Sequence, residues 1–291
     1  MKRLNLLFPT AIAALLLATA SGCNKKAKTA NETNRGTSDT LIVEKISYTD
    51  SAATDSGSSV RASVTLDFPL DGPANLVDSV RAWMTRQLSN IGYGTNTTPY
   101  AEAASDNTDG QRLAARVAKC AVKGGLKELE GMDGEAWGDI QLQYEYDWTL
   151  SLLASTPTYA TFGANTYAYL AGAHGSTFFT GQTFGLDGRE FDWDNTMAKG
   201  SKGRLMPLIR EGLMRQYFDV ETAQEFKDAL LIDPDTLPLP VTPPYFMPDG
   251  FHVVYQQYEI ACYAAGLPGC VLPYDSIAPL LTPAAKALLN K

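Results

Sequence analysis

The chain has 291 residues, 24 basic and 32 acidic side chains, a formal net charge of −8 and an apolar share of 45%. That much apolar surface supports a substantial core, in one large domain or two small ones. The acidic balance argues against nucleic acid or anionic lipid headgroups as partners and speeds encounter with a basic one, while plain solubility is the simpler use of the same charge.

The first 22 residues read as a lipoprotein signal peptide. Lys2 and Arg3 lead a mainly apolar run from Leu6 to Ala20, interrupted at Pro9 and shorter than the roughly 20 apolar residues of a membrane span. The run ends in Ala20-Ser21-Gly22-Cys23, a lipobox in which Ala20 stands where leucine is more usual. Cleavage before Cys23 and acylation of its thiol are expected, which anchors the protein by lipid to a bacterial membrane, in the cell envelope, facing periplasm or exterior. An ordinary secretory peptide with Cys23 nearby by accident is the alternative. Residues 1–22 carry two basic and no acidic side chains, so their loss takes the net charge to −10. Residues 24–40 hold no large apolar side chain, and with the lipidated Cys23 they read as a flexible tether spanning roughly 23 Å.

From Leu41 the chain becomes foldable. Leu41 to Tyr48 predicts a strand, and Val60 to Phe68 predicts another, with Val60, Ala62, Val64, Leu66 and Phe68 on one face and Arg61, Ser63, Thr65 and Asp67 on the other,. Pro69 to Pro73 stops it. Leu76, Val80, Trp83, Leu88 and Ile91 then share a helical face. A second helix is predicted from Asp109 to about Glu130, burying Leu113, Val117, Cys120 and Ala121, with Gly124-Gly125 weakening its later part. Ile140, Leu142, Tyr144, Tyr146 and Trp148 alternate as a strand; Thr158–Leu170 and Ser176–Phe184 read as extended. Leu186-Asp187-Gly188-Arg189 is a hairpin turn. Helix returns over Gly203–Phe218, with Pro207 tolerable only near its start, and over Glu221–Leu230. After a proline-rich crossing from Pro234 to Pro244, Tyr245–Met247 and Phe251–Tyr263 form a hairpin around Pro248-Asp249-Gly250, and Asp275–Leu281 is a last short helix. Strands and helices are grouped rather than alternating, so the expected fold class is α+β, antiparallel sheets packed against helices.

Chemistry-bearing residues are few. His174 and His252 are the only histidines, so a zinc site built on several imidazoles is out of reach, and no Cys-x-x-Cys pair replaces it. The Walker phosphate loop, the dinucleotide glycine pattern and Gly-x-Ser-x-Gly are absent. No cofactor and no metal is expected; Asp192 and Asp194 lack the ligand-dense spacing of a calcium loop. His174 sits in a small-residue bend, Ala173-His174-Gly175-Ser176, that exposes an imidazole and lets a ligand approach. It admits three readings: a ligand contact, a structural turn histidine, or a base beside Ser176. His252 reads as an ordinary strand residue. Fourteen tyrosines are many for this length; Tyr255, Tyr258, Tyr263 and Tyr274 crowd the C-terminal segment around Glu259, which suits recognition of a protein or glycan or plain sheet packing. Cys262 and Cys270 flank a turn-rich loop, and a disulfide between them is expected, stabilising by about 2–3 kcal/mol. Cys120 reads as a buried helix thiol.

Two segments together resemble the RsiV-like family, the extracellular domain of the anti-sigma factor RsiV that also accompanies the deacetylase PdaC. The first runs Tyr167-Ala168-Tyr169-Leu170-Ala171-Gly172-Ala173-His174-Gly175 and on to Phe184-Gly185-Leu186-Asp187-Gly188-Arg189-Glu190-Phe191; Ala171 replaces the first glycine of the family's bend. The second runs Tyr258-Glu259-Ile260-Ala261-Cys262-Tyr263-Ala264-Ala265-Gly266, then Val271-Leu272-Pro273-Tyr274; Cys262 replaces a proline. The resemblance extends over about Leu41 to Leu281, and implies an N-terminal α+β part over 41–165 and a C-terminal domain over 166–291. It implies a noncatalytic recognition module, here without the sigma-factor or deacetylase parts, with a basic lysozyme-like protein or a cell-wall component as ligand. Contacts are expected at Ala173, His174, Gly175, Ser176, Tyr258, Glu259, Tyr263 and Gly266. An envelope hydrolase using His174 and a structural or assembly lipoprotein are the competing readings.

Overall fold

The computed structural model describes residues 38–91, 95–96, 98–132 and 140–290, which lie in one compact unit. The expected signal peptide, Cys23 and the expected tether up to residue 37 lie outside the described residues. In chain order the elements are β1 (Ile42–Ala53), β2 (Ser59–Asp71), α1 (Ala74–Leu88), β3 (Asn90–Ile91), β4 (Thr95–Asn96), α2 (Thr98–Ala104), α3 (Gly110–Met132), β5 (Gln143–Ser155), β6 (Tyr159–Leu170), β7 (Ser176–Gly185), β8 (Glu190–Phe191), α4 (Trp193–Thr196) and α5 (Lys202–Gly212). A π turn (Leu213–Phe218), α6 (Ala223–Ala229), β9 (Tyr245–Met247), β10 (Gly250–Val254), β11 (Gly269–Leu272), α7 (Tyr274–Ile277) and α8 (Pro283–Ala287) complete it. Among the described residues no helix is long and apolar enough to cross a membrane.

Six strands form the main sheet in the order β1-β2-β5-β6-β7-β8. The fold is α+β and its pairings are antiparallel except β2 with β5, which run parallel. The helices between those two strands carry the chain back to its starting end, the crossover a parallel pair requires. Alternation decides what each face meets. Val60, Ala62, Val64 and Leu66 of β2, with Tyr144, Tyr146, Trp148 and Leu150 of β5, point at α1 and α3 and form the first core. Trp83 of α1 reaches across to Phe162 and Phe184, ring centroids 6.3 and 6.0 Å away. The second core is built from α5, α6, the three-stranded sheet β11-β10-β9 and the C-terminal helices.

The second core meets the main sheet on its other face. Thr161 and Thr183, opposite each other on β6 and β7, are fully buried, with hydroxyls 2.8 Å apart. Thr161 Oγ1 donates to the Phe246 carbonyl at 2.7 Å, and Thr183 Oγ1 accepts from the Phe246 amide at 2.8 Å. Two hydroxyls therefore satisfy both backbone groups of a β9 residue that no strand of the main sheet pairs with.

Several expectations change in detail. Helix α3 runs straight through Gly124-Gly125, because Gly125 faces the sheet. A Cβ there would stand 3.0 and 3.2 Å from the Val60 methyls, so the missing side chain brings helix and strand into contact. Pro207 lies inside α5, not near its start. The carbonyl that loses its partner belongs to exposed Gly203, where solvation offsets the loss,. The hairpin strand expected to reach Tyr263 ends at Val254. Helix α8 was not predicted, although Thr282 caps it through the Ala285 amide and Pro283 opens it,.

The expected disulfide is absent. Cys270 pairs with Val253 across β10–β11 and turns inward with it, buried beneath Gly212 with its sulfur 3.8 Å from the Ile209 carbonyl. Burial pushes this thiol up to about 12. Cys262, at the head of a 3-10 turn, is exposed, so the two side chains serve opposite environments. Cys120 is half-buried on α3.

Gly125→Val should overpack the α3–β2 contact and lower stability by about 1–3 kcal/mol, read as a shift in the urea midpoint without change in slope.

Candidate functional site

The β6–β7 hairpin closes through Leu170–Gly175. Ala171 adopts φ +54°, the left-handed conformation that glycine takes freely and an L side chain takes at a cost of about 1–2 kcal/mol. The bend places Ala173 and His174 in solvent and buries Gly175. A Cβ on Gly175 would lie within 2.4 Å of the Tyr167 ring, so only glycine lets that ring cover the bend. On its other side the Tyr263 hydroxyl donates to the Gly175 carbonyl at 2.9 Å.

His174 is held by rings and one carbonyl. Its Nδ1 lies 3.1 Å from Gly175 O, which accepts only and so fixes the hydrogen on Nδ1. The imidazole stacks on Tyr263, centroids 3.7 Å apart at 21°. Its Nε2 faces the Tyr258 hydroxyl at 3.5 Å, and the Tyr258 ring lies 5.9 Å from that of Tyr263. Tyr258 has φ +63° and is 51% exposed, the outermost ring of the group. Exposed Leu231 and Val241 rim the same loop, their amides bonded to Ile260 O and Glu259 Oε1 at 2.8 Å each. Ser176 begins β7 half-buried and, among the described residues, is not a hydrogen-bond partner of His174.

The loop that carries Tyr258 and Tyr263 is pinned from three sides. Strand β8 covers β7 only at Thr183 and Phe184, leaving the edge near the bend without a neighbour. Two buried glutamines fill that gap. Gln256 accepts from the Phe179 amide at 2.9 Å and donates to its carbonyl at 2.8 Å, and Gln257 accepts from the Thr177 amide at 2.9 Å. Glu259 uses both carboxylate oxygens on backbone, Oε1 accepting from Val241 N at 2.8 Å and Oε2 from Gln256 N at 2.7 Å. Burial raises its pKa despite those bonds. From the π turn, Gln216 exchanges two bonds with the Val271 backbone, at 3.0 and 2.8 Å, and Tyr217 donates to the Ala265 carbonyl. Gly266 ends the 3-10 turn at φ +75°, under the Tyr217 hydroxyl.

The structure thus brings His174, Gly175, Tyr258 and Tyr263 together, with Ala173 beside them. It gives Glu259 and Gly266 to the framework of the loop. His252 is tied to Asp249 at 2.8 Å and lies on Tyr245, away from this group. Asp192 caps α4 through Asn195 N, and no cluster of metal-ligating side chains occurs among the described residues. Sequence reasoning passed over Gln256, Gln257, Tyr217 and Tyr167. Two adjacent glutamines inside an otherwise apolar run were the available signal for the first two, since buried amides must find partners. The arrangement offers an aromatic face whose rings are fixed before any ligand arrives, which lowers the entropy cost of contact.

Replacing Gln256 with leucine should strand both backbone groups of Phe179, costing about 1–3 kcal/mol and speeding hydrogen exchange at that amide. The folded chain binds the Glu259 proton more tightly than the unfolded chain. Its contribution to stability is therefore largest at low pH and is lost as pH rises through the folded titration; a carbon-detected titration of Glu259 should show a midpoint above its ordinary value of 4.5.

Residues 197–275 match the family described as a protein of unknown function, DUF3298. No curated protein matches the chain. The crystal structure of a DUF3298 family member from Bacteroides fragilis NCTC 9343 superposes with a TM-score of 0.71 at 18% identity, covering 87% of this chain and 100% of that one. A DUF3298 family protein from Pseudomonas aeruginosa PAO1 gives 0.54 at 10% identity, covering 86% of this chain and 98% of its own. Residues 197–275 thus carry the family's sequence pattern, and the two structures share the fold.

Proposed function

We propose that this is a noncatalytic, lipid-anchored binding protein of the cell envelope, which recognises a basic protein of the lysozyme type through the Tyr258–His174–Tyr263 face. The observation that carries the reading is the stacked and pinned ring group, with Tyr258 projecting from it. Tyrosine-rich, pre-ordered contact surface is what recognition of a macromolecule uses. The groups around His174 are a carbonyl, a phenol and an aromatic face, partners that hold a ring for contact. The net charge of −10 left after residues 1–22 are removed favours a cationic ligand,.

The RsiV-like resemblance supports the same reading. Its second segment lies inside the stretch that matches DUF3298, and its first segment supplies the bend that carries His174. The lipobox at Cys23 supports the anchor and the envelope location.

Titration calorimetry of the full chain with a C-type lysozyme tests the proposal. Binding is expected at low ionic strength and should weaken as salt is added. Tyr258→Ala should weaken it at least about tenfold with the unfolding midpoint unchanged. No heat at low salt removes this ligand, and equal affinity in the variant removes this face.

A further inference from the structure

The ring group does not end at the loop. Tyr167 and Tyr169 lie on the face of the main sheet away from α1 and α3, since their ladder partners are Asp147 and Glu145 while Tyr146 and Trp148 point into the first core. Buried Gly175 sits between the Tyr167 ring and the Tyr263 hydroxyl. An aromatic row therefore runs from Tyr258 through His174, Tyr263 and Tyr167 to Tyr169. Residues two apart on a strand project about 6.6 Å apart, so the two sheet tyrosines continue the row at a spacing one long side chain spans.

The carboxylates beside these rings are unevenly satisfied. Glu145 is paired with Arg61 at 3.1 Å. Asp147 is half-buried and, among the described residues, accepts one hydrogen bond, from Thr149 Oγ1 at 3.0 Å. An ionised carboxyl has room for about four such bonds. Burial raises the Asp147 pKa, while Arg61 lowers it only in part. A cation arriving over Tyr167 would supply what this carboxylate lacks and would also gain from the ring face.

We propose that the docking surface extends from the loop onto the sheet, and that an arginine side chain of a basic protein partner lies across Tyr167 and Tyr169 with its guanidinium against Asp147. Arginine is preferred to lysine because its planar head can stack on a ring and engage a carboxylate together. This rests on the reading that the partner is a basic protein.

The test uses the full chain and acetyl-Gly-Arg-Gly-amide, followed by the ring signals of Tyr167 and Tyr169. Saturable shifts are expected with a dissociation constant on the order of 10 mM. They should vanish with the citrulline peptide, which keeps the shape and loses the charge, and be at least about fivefold weaker in Asp147→Asn. The variant's unfolding midpoint reports any loss of fold. Shifts equal in wild type and variant, shifts confined to Tyr258 and Tyr263, or shifts produced by a chitin oligosaccharide and not by the arginine peptide would each overturn the proposal. Because the peptide needs no lysozyme, failure of the lysozyme titration leaves this result standing. Loss of the peptide signal beside intact Tyr258-dependent lysozyme binding would confine the contact to the loop.

Discussion

At the edge of β7 near the bend, side chains stand where a neighbouring strand would. Gln256 and Gln257 take the backbone groups of Phe179 and Thr177, and the placement of the aromatic face follows from that substitution. A buried backbone amide or carbonyl must be paired, and a strand added at this edge would have covered the bend. Two amides satisfy the same groups from a loop, and the loop then turns outward and presents Tyr258 and Tyr263. The device recurs. Thr161 and Thr183 serve the backbone of Phe246, Gln216 serves Val271, and Glu259 serves Val241 and Gln256. The second core is joined to the first by side-chain hydrogen bonds where many proteins would extend a sheet.

This explains which parts of the molecule could be read from its residues alone. Strands β2 and β5 were legible because apolar residues alternate along them, so a period of two stood out, whereas β6, buried on both faces over its first half, read only as extended. Helix α3 was legible for its first turns and obscured at Gly124-Gly125, where the glycine that lowers helix propensity also lets Val60 approach. The loop after Val254 was not legible. Its path depends on where Gln256 and Glu259 find partners 77 and 18 positions away in the chain, and no local pattern encodes that. The same holds for the cysteines. A turn-rich loop between two thiols suggested closure by sulfur, yet Cys270 lies inside a strand pair and faces α5, and the loop is closed from the π turn by Gln216 and Tyr217.

For the site, the sequence located the bend and the tyrosines but assigned their roles unevenly. His174, Tyr258 and Tyr263 meet as a group. Glu259 looked available because it sits between exposed tyrosines, but a carboxylate with both oxygens on backbone amides has little left to offer a ligand. Tyr167 drew no attention of its own within its strand, and it is the ring that covers the bend from the sheet face. Residue type announces capacity for contact; hydrogen-bond accounting decides whether the capacity is already spent.

Gly175 has a consequence for how such a surface can change. With one tyrosine ring on one side and a second phenol bonded to its carbonyl, this position transmits the placement of each ring to the other. Insertions in the hairpin, or any larger residue at 175, would displace both together. The loop and the bend are therefore coupled as one structural block: transplanting the C-terminal loop alone onto another scaffold would carry the rings without the surface that orients them.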